Sequence, residues 1–344
     1  MTTARTGARQ SIGLLGAGTV GAALLELMQQ RPEFSASASV HKVLVRDVDK
    51  TRRAAVDKRL LTTDPDAVLA SADILVELIG GVELATDLML RALRQGKRVI
   101  TANKAALAER WDDFLPYLQQ GLLYFEAAVM AGTPIIGPLT GVLRGSRPLE
   151  LQAILNGTCN YIISQLEQGV SYQQALQEAQ ALGYAEADPT LDVEGFDAAH
   201  KVSLLARLAF DPALPWTQVA ANTTGISRLT PAIIKEAMED GGRVRLVASI
   251  YPEQDAWQVA VYPAYLPATH PLAGSASNRN GMVFKGDAVG EILISGAGAG
   301  DAPTASAVLA DVFSALAERP GPAWLETAAP LPQGYQATPL GKVL

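Results

Sequence analysis

The sequence predicts an α/β protein of two domains: an N-terminal doubly wound parallel sheet, then an α+β domain with a mixed sheet. Three observations carry that expectation. The chain has 344 residues, more than one compact core ordinarily holds. Strand-like and helix-like runs alternate over roughly the first 130 residues, the pattern of a parallel sheet. Beyond Glu126 that alternation stops, and several strand-like runs follow one another closely. The expected division is 1–130, completed by 297–330 packing back, with 131–296 as the second domain.

Composition narrows the function. The chain is 49% hydrophobic and 18% charged, which is a packed globular protein rather than a disordered one. A net charge of -7 argues against nucleic acid or an anionic membrane as partner, since both call for a basic surface. Cys159 is the single cysteine, so no internal disulfide forms, and a reducing compartment fits. His41, His200 and His270 are scattered and make no zinc-type cluster. The opening MTTARTGARQ lacks the apolar stretch of a secretory signal, and no apolar run is long enough to span a bilayer. The expectation is a soluble cytoplasmic protein.

Taken in order, Ser11 to Leu15 is a short apolar strand, and Val20 to Met28 follows with helical spacing. Between them lies Gly16-Ala17-Gly18-Thr19-Val20-Gly21, a G-x-G-x-x-G loop with the strand before it and the helix after it. Gly16 permits the tight turn, Gly18 lets the backbone approach a pyrophosphate, and Gly21 lets helix and strand pack closely. The helix N-terminus, at Thr19 and Val20, faces the phosphates. A lone match is a weak signal, but in this setting it marks a Rossmann-type dinucleotide site.

Ser37 to Val45 reads as a second strand, ending in Arg46-Asp47. An acidic residue there holds a ribose 2′-hydroxyl, whereas arginine favours a 2′-phosphate. Both are present, and a solvated strand end would also explain Arg46. Arg46, with Arg52 and Arg53 nearby, leans towards NADP and leaves NAD open. Asp64-Pro65 starts a helix. Ile74 to Ile79 is a buried strand closed by Gly80-Gly81, Leu84 to Leu93 is helical, and Arg98 to Thr101 is a strand followed by Ala102-Asn103-Lys104. Ligands bind at the carboxyl ends of parallel strands, so Gly80 and Lys104 stand where a dinucleotide would lie. A lysine at a strand end is more often simply solvated. Leu122 to Glu126 is a further strand.

After Glu126 the expected elements are a helix from Pro134 to Leu143, a strand from Leu149 to Leu155, a chain break at Asn156-Gly157-Thr158, and helices at Tyr161 to Leu166 and Tyr172 to Leu182. Pro231 to Met238 is helical. Strand-like runs at Arg243 to Tyr251, Gln258 to Leu266, Met282 to Lys285 and Glu291 to Ser295 suit a predominantly antiparallel or mixed sheet. A second glycine loop, Ser295 to Asp301, precedes a helix from Pro303 to Leu316, and the tail after Pro320 reads as irregular.

The most charged stretch is Gly183 to Lys201, GYAEADPTLDVEGFDAAHK. Glu186, Asp188, Asp192, Glu194 and Asp197 crowd between two apolar runs. Helical spacing from Phe196 onward puts Asp197 and Lys201 on one face. A surface ion pair is the ordinary explanation of such spacing. Here the pair opens a very apolar helix, and charge on a buried helix calls for a partner, a cavity or a ligand.

Together GLLGAGTVG, ELIGG at Glu77 to Gly81, TANK at Thr101 to Lys104, FEAAVMAGTPII at Phe125 to Ile136, ILNGTCNYI at Ile154 to Ile162 and the charged stretch resemble homoserine dehydrogenase, in matching order from about Ile12 to about Ala317. MAG at Met130 to Gly132 departs from the glycines common there. The chain looks like the short, single-function form without a regulatory domain at its end. The resemblance implies NAD(P)-dependent interconversion of L-aspartate 4-semialdehyde and L-homoserine. It implies that Glu186 and Asp197 bind the substrate ammonium, that Lys104 and Lys201 lie at the reacting end, and that Lys201 gives the proton. It further implies a monovalent cation, Na+ or K+, on main-chain oxygens of Glu126, Val129, Ala131 and Thr133, a cofactor contact at Gly300, and a homodimer.

The chemistry is consistent with these residue types. Hydride addition to an aldehyde leaves an alkoxide, which needs a positioned acid, and a lysine is both proton source and cation. The substrate ammonium wants carboxylates. Two other classes compete: a semialdehyde dehydrogenase of the covalent type would need Cys159 as nucleophile, and a dinucleotide-sensing regulator would not need Lys104, Glu186, Asp197 and Lys201 together.

Overall fold

The computed structural model describes residues 9–52, 56–337 and 340–343. Arg53 lies outside the described residues, as do residues 1–8. The chain divides into two compact units. One takes the described residues of Met1–Ala128 with Gly300–Ala323; the other takes Val129–Ala299 with Trp324–Leu344.

The first unit opens with β1 (Gln10–Leu15), α1 (Thr19–Gln29), α2 (Pro32–Ser37), β2 (Ala38–Leu44), β3 (Leu61–Thr62), α3 (Pro65–Ser71) and β4 (Ile74–Glu77). It continues with α4 (Glu83–Arg94), β5 (Arg98–Thr101), α5 (Lys104–Glu109), α6 (Trp111–Gln119) and β6 (Leu123–Tyr124). The strands stand in the order β3-β2-β1-β4-β5-β6, every pairing parallel. That is the doubly wound order, and it reverses between β1 and β4. Both faces are covered, so the strands are continuously apolar: Ile12, Leu14, Leu15, Ile74, Leu75 and Val76 are all buried.

Caps set several boundaries. Asp64 accepts the Asp66 N–H before α3, and Asn103 accepts the Ala106 N–H before α5. The strand expected to run to Ile79 stops at Glu77, because the Glu77 carboxylate takes the N–H groups of Ile79 and Gly80. The strand expected to run to Glu126 stops at Tyr124; the Glu126 N–H goes instead to the Asp311 carboxylate. Ser37 closes α2 rather than opening β2.

The chain then forms α7 (Ala127–Met130), α8 (Ile136–Thr140), β7 (Pro148–Ile154), α9 (Gly157–Leu166), α10 (Tyr172–Ala181), α11 (Thr190–Val193) and α12 (Phe196–Ala209). After α13 (Trp216–Ala221) and α14 (Pro231–Glu239) come β8 (Gly242–Glu253), β9 (Ala256–Pro267), β10 (Arg279–Gly286) and β11 (Gly290–Ala297). Last are α15 (Asp301–Leu316) and β12 (Gly341–Lys342). The second sheet has the order β11-β10-β7-β8-β9-β12. Among the described residues its named pairings are all antiparallel, and the parallel part of the expected mixed sheet is confined to a bridge between Thr223 and Val261.

Three expectations need correction in this part of the chain. No single helix runs from Pro134 to Leu143: α8 ends at Thr140, and a tighter turn at Val142–Gly145 follows. Gly137 and Gly141 give that stretch poor helix propensity, and the close approach of Gly141 to the Gly137 carbonyl leaves no room for a side chain. Asn156-Gly157-Thr158 is the start of α9 rather than a break, since Asn156 caps it through the Cys159 N–H. Residues 324–330 belong to the second unit, not the first. Trp257 donates its indole N–H to the Ala329 carbonyl, and the Ala329 N–H donates to the Phe210 carbonyl.

α15 returns to the first unit and packs on α1, with Ala305, Val308, Leu309 and Val312 joining Ala22, Leu24 and Leu25 in one apolar core. Among the described residues no helix is long and apolar enough to cross a membrane.

Candidate functional site

In the first unit the glycine loop has the expected shape. Gly16 takes φ +101°, and a Cβ there would meet the Leu78 carbonyl at 2.8 Å. A Cβ on Gly21 would lie 2.2 Å from the Gly16 carbonyl, so helix α1 can approach only with glycine at that place. Gly18 faces open space, with nothing within 4 Å of where a Cβ would stand. The loop therefore leaves room for a group at the N-terminus of α1, beginning at Thr19 and Val20, and the residues fit a dinucleotide pyrophosphate.

The neighbouring strand ends are tied together by one acid. Glu77 ends β4, pairs in register with Leu15 on one side and Thr101 on the other, and is completely buried. Its Oε1 accepts the N–H groups of Ile79 (2.9 Å) and Gly80 (3.0 Å), and its Oε2 accepts the Thr101 hydroxyl at 2.5 Å. The Thr101 oxygen accepts the Asn103 N–H at 2.9 Å, and Asn103 Nδ2 donates to the Gly81 carbonyl at 2.7 Å. Lys104, the first residue of α5, follows directly. Burial pushes the Glu77 carboxyl up, against the pull of these hydrogen bonds. The sequence signal for this group was an acid closing an otherwise apolar strand, ILVE, and it went unread.

At the end of β2, Arg46 is exposed. The Asp47 carboxylate accepts the Asp49 N–H at 2.8 Å, and the Asp47 carbonyl accepts from the Arg52 guanidinium, so this turn is held by its own side chains. Gly300 precedes α15 with φ +134°, a conformation that favours glycine, and its carbonyl accepts the Thr304 hydroxyl at 2.6 Å.

In the second unit, Gly195 at φ +84° starts α12, and a Cβ there would press on Thr223. One turn on, Asp197 and Lys201 are both buried. Lys201 Nζ donates to Asp197 Oδ2 at 2.7 Å and to the Leu155 carbonyl, at the end of β7, at 2.7 Å. Asn156 Nδ2 donates to Asp197 Oδ2 at 2.8 Å and to Asp192 Oδ1 at 2.7 Å. Asn156 and Asp192 were missed as site residues. An Asn three residues before Cys159 in N-G-T-C is a cap pattern, and it was the available signal.

The remaining acids of the stretch divide. Asp188 is exposed and accepts both the N–H and the hydroxyl of Thr190, which lower its pKa and shape the loop. Glu186 is exposed; Gln180 holds its carbonyl, and Thr158 holds the Tyr184 carbonyl at 2.7 Å. Asp197 and Lys201 are thus brought together as expected, while Glu186 stands at the exposed end of the same loop. Lys104 belongs to the first unit and Lys201 to the second.

Cys159 is buried, and its thiol donates to the Asp192 carbonyl at 3.1 Å. Burial, with Asp192 next, raises its pKa well above the ordinary thiol value. A nucleophilic cysteine needs the opposite. Among the described residues no group of three or more His, Cys, Asp or Glu side chains could hold a metal ion. Along the segment singled out for that role, Ala131 takes φ +51°, the region in which a Cβ is strained. This is the place where glycines were expected, and alanine keeps the turn. The Thr133 N–H closes it on the Met130 carbonyl, and the Thr133 hydroxyl donates to the Ala297 carbonyl. Glu126 donates its N–H to Asp311, whose carboxyl burial pushes up to about 7.

Two family models match the chain. One described as homoserine dehydrogenase covers residues 134–313, and one described as its NAD binding domain covers residues 16–116. The homoserine dehydrogenase of a Synechocystis species is 39% identical over 315 residues, 88% of this chain and 72% of the relative. That of Bacillus subtilis is 36% identical over 315 residues, 89% and 72%. Among solved structures, a homoserine dehydrogenase from Thiobacillus denitrificans aligns with a TM-score of 0.83 at 39% identity, covering 90% of this chain and 73% of that one. A hyperthermophilic archaeal homoserine dehydrogenase in complex with NADPH aligns at 0.75 and 25% identity, covering 92% and all of that chain.

Proposed function

Because the chain belongs to the homoserine dehydrogenase family, and is thus an oxidoreductase of amino-acid biosynthesis with a nicotinamide-dinucleotide-binding domain, we propose how its residues divide the reaction. The reaction is the interconversion of L-aspartate 4-semialdehyde and L-homoserine. Lys201 is the acid–base group. Its ammonium has three donors, of which two are engaged by Asp197 and the Leu155 carbonyl, and the third is left for the substrate oxygen. In the reductive direction this third N–H gives its proton to the alkoxide oxygen as it forms, leaving the neutral amine; in the oxidative direction the neutral amine takes the hydroxyl proton. The single observation that carries this reading is the buried Asp197–Lys201 pair, joined through Asn156 to Asp192.

Asp197, Asp192 and the exposed Glu186 form the acidic side that draws the substrate ammonium. Lys104 is the second lysine of the reaction and a cofactor contact. The dinucleotide is held by Gly16, Gly18, Thr19, Val20, Gly21, Gly80 and Gly300, and when bound it carries the hydride. NADP is the preferred form on this reading. Arg46 stands exposed at the end of β2, and an archaeal relative has been solved with NADPH. A monovalent cation, Na+ or K+, on the main-chain oxygens of Glu126, Val129, Ala131 and Thr133 completes the set; hard oxygen donors suit such an ion. The enzyme acts as a homodimer in the cytoplasm, in keeping with its acidic composition and single buried cysteine.

The experiment is a spectrophotometric assay at 340 nm, the nicotinamide absorbance, with homoserine and either NADP or NAD. Reduction with homoserine, faster with NADP, supports the reading. Dinucleotide binding without turnover would favour a sensing role instead.

A further inference from the structure

We infer that Glu77 is a positioning residue for the dehydrogenase site: one buried carboxylate sets both the Gly80 turn and, through Thr101 and Asn103, the first turn of α5 that carries Lys104. The inference rests on the function proposed above and deepens it.

Glu77 stands at the carboxyl end of β4, where the strand order reverses against β1, the place at which doubly wound sheets take their ligands. Its neighbours along the strand, Leu75 and Val76, are apolar and fully buried. A valine would serve the sheet equally well without desolvating a charge, so stability of the strand does not explain the acid. Its hydrogen bonds do. Oε1 gathers two successive backbone N–H groups, from Ile79 and Gly80, and fixes a turn in which Gly80 and Gly81 take φ +69° and +73°. Oε2 accepts the Thr101 hydroxyl, and that oxygen accepts the Asn103 N–H. Asn103 closes the ring by donating to the Gly81 carbonyl, while its Oδ1 caps α5 through the Ala106 N–H. The two strand ends and both functional turns therefore share one acceptor.

Glutamine cannot replace it. Its oxygen must face the two N–H groups, which leaves its NH2 against the Thr101 hydroxyl. That hydroxyl then loses its acceptor: its oxygen can take both the glutamine NH2 and the Asn103 N–H, but its own buried O–H is left without a partner. Valine at Thr101 breaks only the arm that leads to Asn103 and Lys104. Serine keeps the hydroxyl and restores that arm.

The test compares Glu77→Gln, Thr101→Val and Thr101→Ser with wild type, measuring NADPH dissociation by fluorescence, kcat for homoserine oxidation and thermal unfolding. Thr101→Val is expected to lower kcat at least about tenfold, the scale of a misplaced reacting group, with a smaller rise in the NADPH Kd than Glu77→Gln shows, because the Gly80 turn keeps its acceptor. Thr101→Ser is expected to recover most of that kcat. Glu77→Gln is expected to lower kcat and also to raise the NADPH Kd at least about fivefold, since it disturbs both arms. Wild-type values in Thr101→Val, a loss in Thr101→Ser equal to that in Thr101→Val, or an unchanged NADPH Kd in folded Glu77→Gln would each overturn the inference. If Glu77→Gln does not fold, the Thr101 pair decides. Failure of the proposed function reads differently: wild type would bind NADPH without oxidising homoserine, and the Kd of Glu77→Gln would then decide the loop arm by itself.

Discussion

Lys201 and Asp197, one helical turn apart on α12, make a 2.7 Å ion pair in which both side chains are buried. An exposed pair at this spacing is worth a few tenths of a kcal/mol. A buried one loses its hydration, and its Coulomb attraction often does no more than offset that loss. The pair is therefore a poor device for stability and a good one for holding a lysine in a fixed place. The Leu155 carbonyl and Asn156 complete the hold from the end of β7 and the start of α9.

Asn156 does two jobs that one pair of variants separates. Serine caps helices as well as asparagine does but cannot reach both carboxylates. Asn156→Ala is expected to lose about 1–2 kcal/mol of stability together with activity. Asn156→Ser is expected to keep most of the stability and still lose at least about tenfold in kcat/KM. Thermal unfolding and steady-state kinetics check both, and a fully active Asn156→Ser would confine Asn156 to capping.

Cys159 is expected to be dispensable for chemistry. Its thiol is buried and engaged with the Asp192 carbonyl, and burial holds it protonated. Cys159→Ser should retain kcat within about threefold, with any cost appearing as the modest destabilisation usual for a buried polar change. A folded but inactive Cys159→Ser would point to covalent catalysis.

Arg46→Ala should raise KM for NADPH more than for NADH. Arg46 is exposed at the end of β2, and on the function proposed above its guanidinium would meet the 2′-phosphate, which NADH lacks. Equal effects on both cofactors would remove Arg46 from cofactor choice.

His270 makes the second unit sensitive to acid. Its Nδ1 accepts the Leu272 N–H at 3.2 Å, so its Nε2 carries the proton given to Gln152 Oε1 at 2.8 Å. Burial, and then Lys285, hold its pKa below the ordinary imidazole value. The folded chain therefore binds this proton less readily than the unfolded chain. The contribution to stability is complete above the ordinary value of 6.5 and is lost as pH falls through it towards the lower folded value. Between about pH 7.5 and about pH 5.5, wild-type Tm should fall more than that of His270→Asn. Parallel curves would contradict this.

Local signals made much of the fold legible. The glycine loop declared itself through its strand and helix, and Asp197 with Lys201 through their spacing. What went unread depended on contacts distant in sequence. The shared acceptor at Glu77 joins the end of β4, the turn that follows it and the end of β5 beyond α4, and no short window of sequence contains it. Asn156 looked like punctuation because its partners Asp192 and Asp197 lie 36 and 41 residues away. α5 and α6 had no assigned element, although Asn103 was a readable cap. The end of β6 is set by Asp311, 185 residues from the Glu126 N–H it accepts.

On the function proposed above, Lys201, held by Asp197, moves the proton in homoserine oxidation. The most direct measurement is kcat for Lys201→Ala and Asp197→Ala with homoserine and NADP, beside NADPH binding by fluorescence. Each variant is expected to lose at least about a hundredfold in kcat, the scale of a lost acid–base group, while binding NADPH as wild type does. Near-wild-type turnover in both would remove Lys201 and Asp197 from the proton transfer.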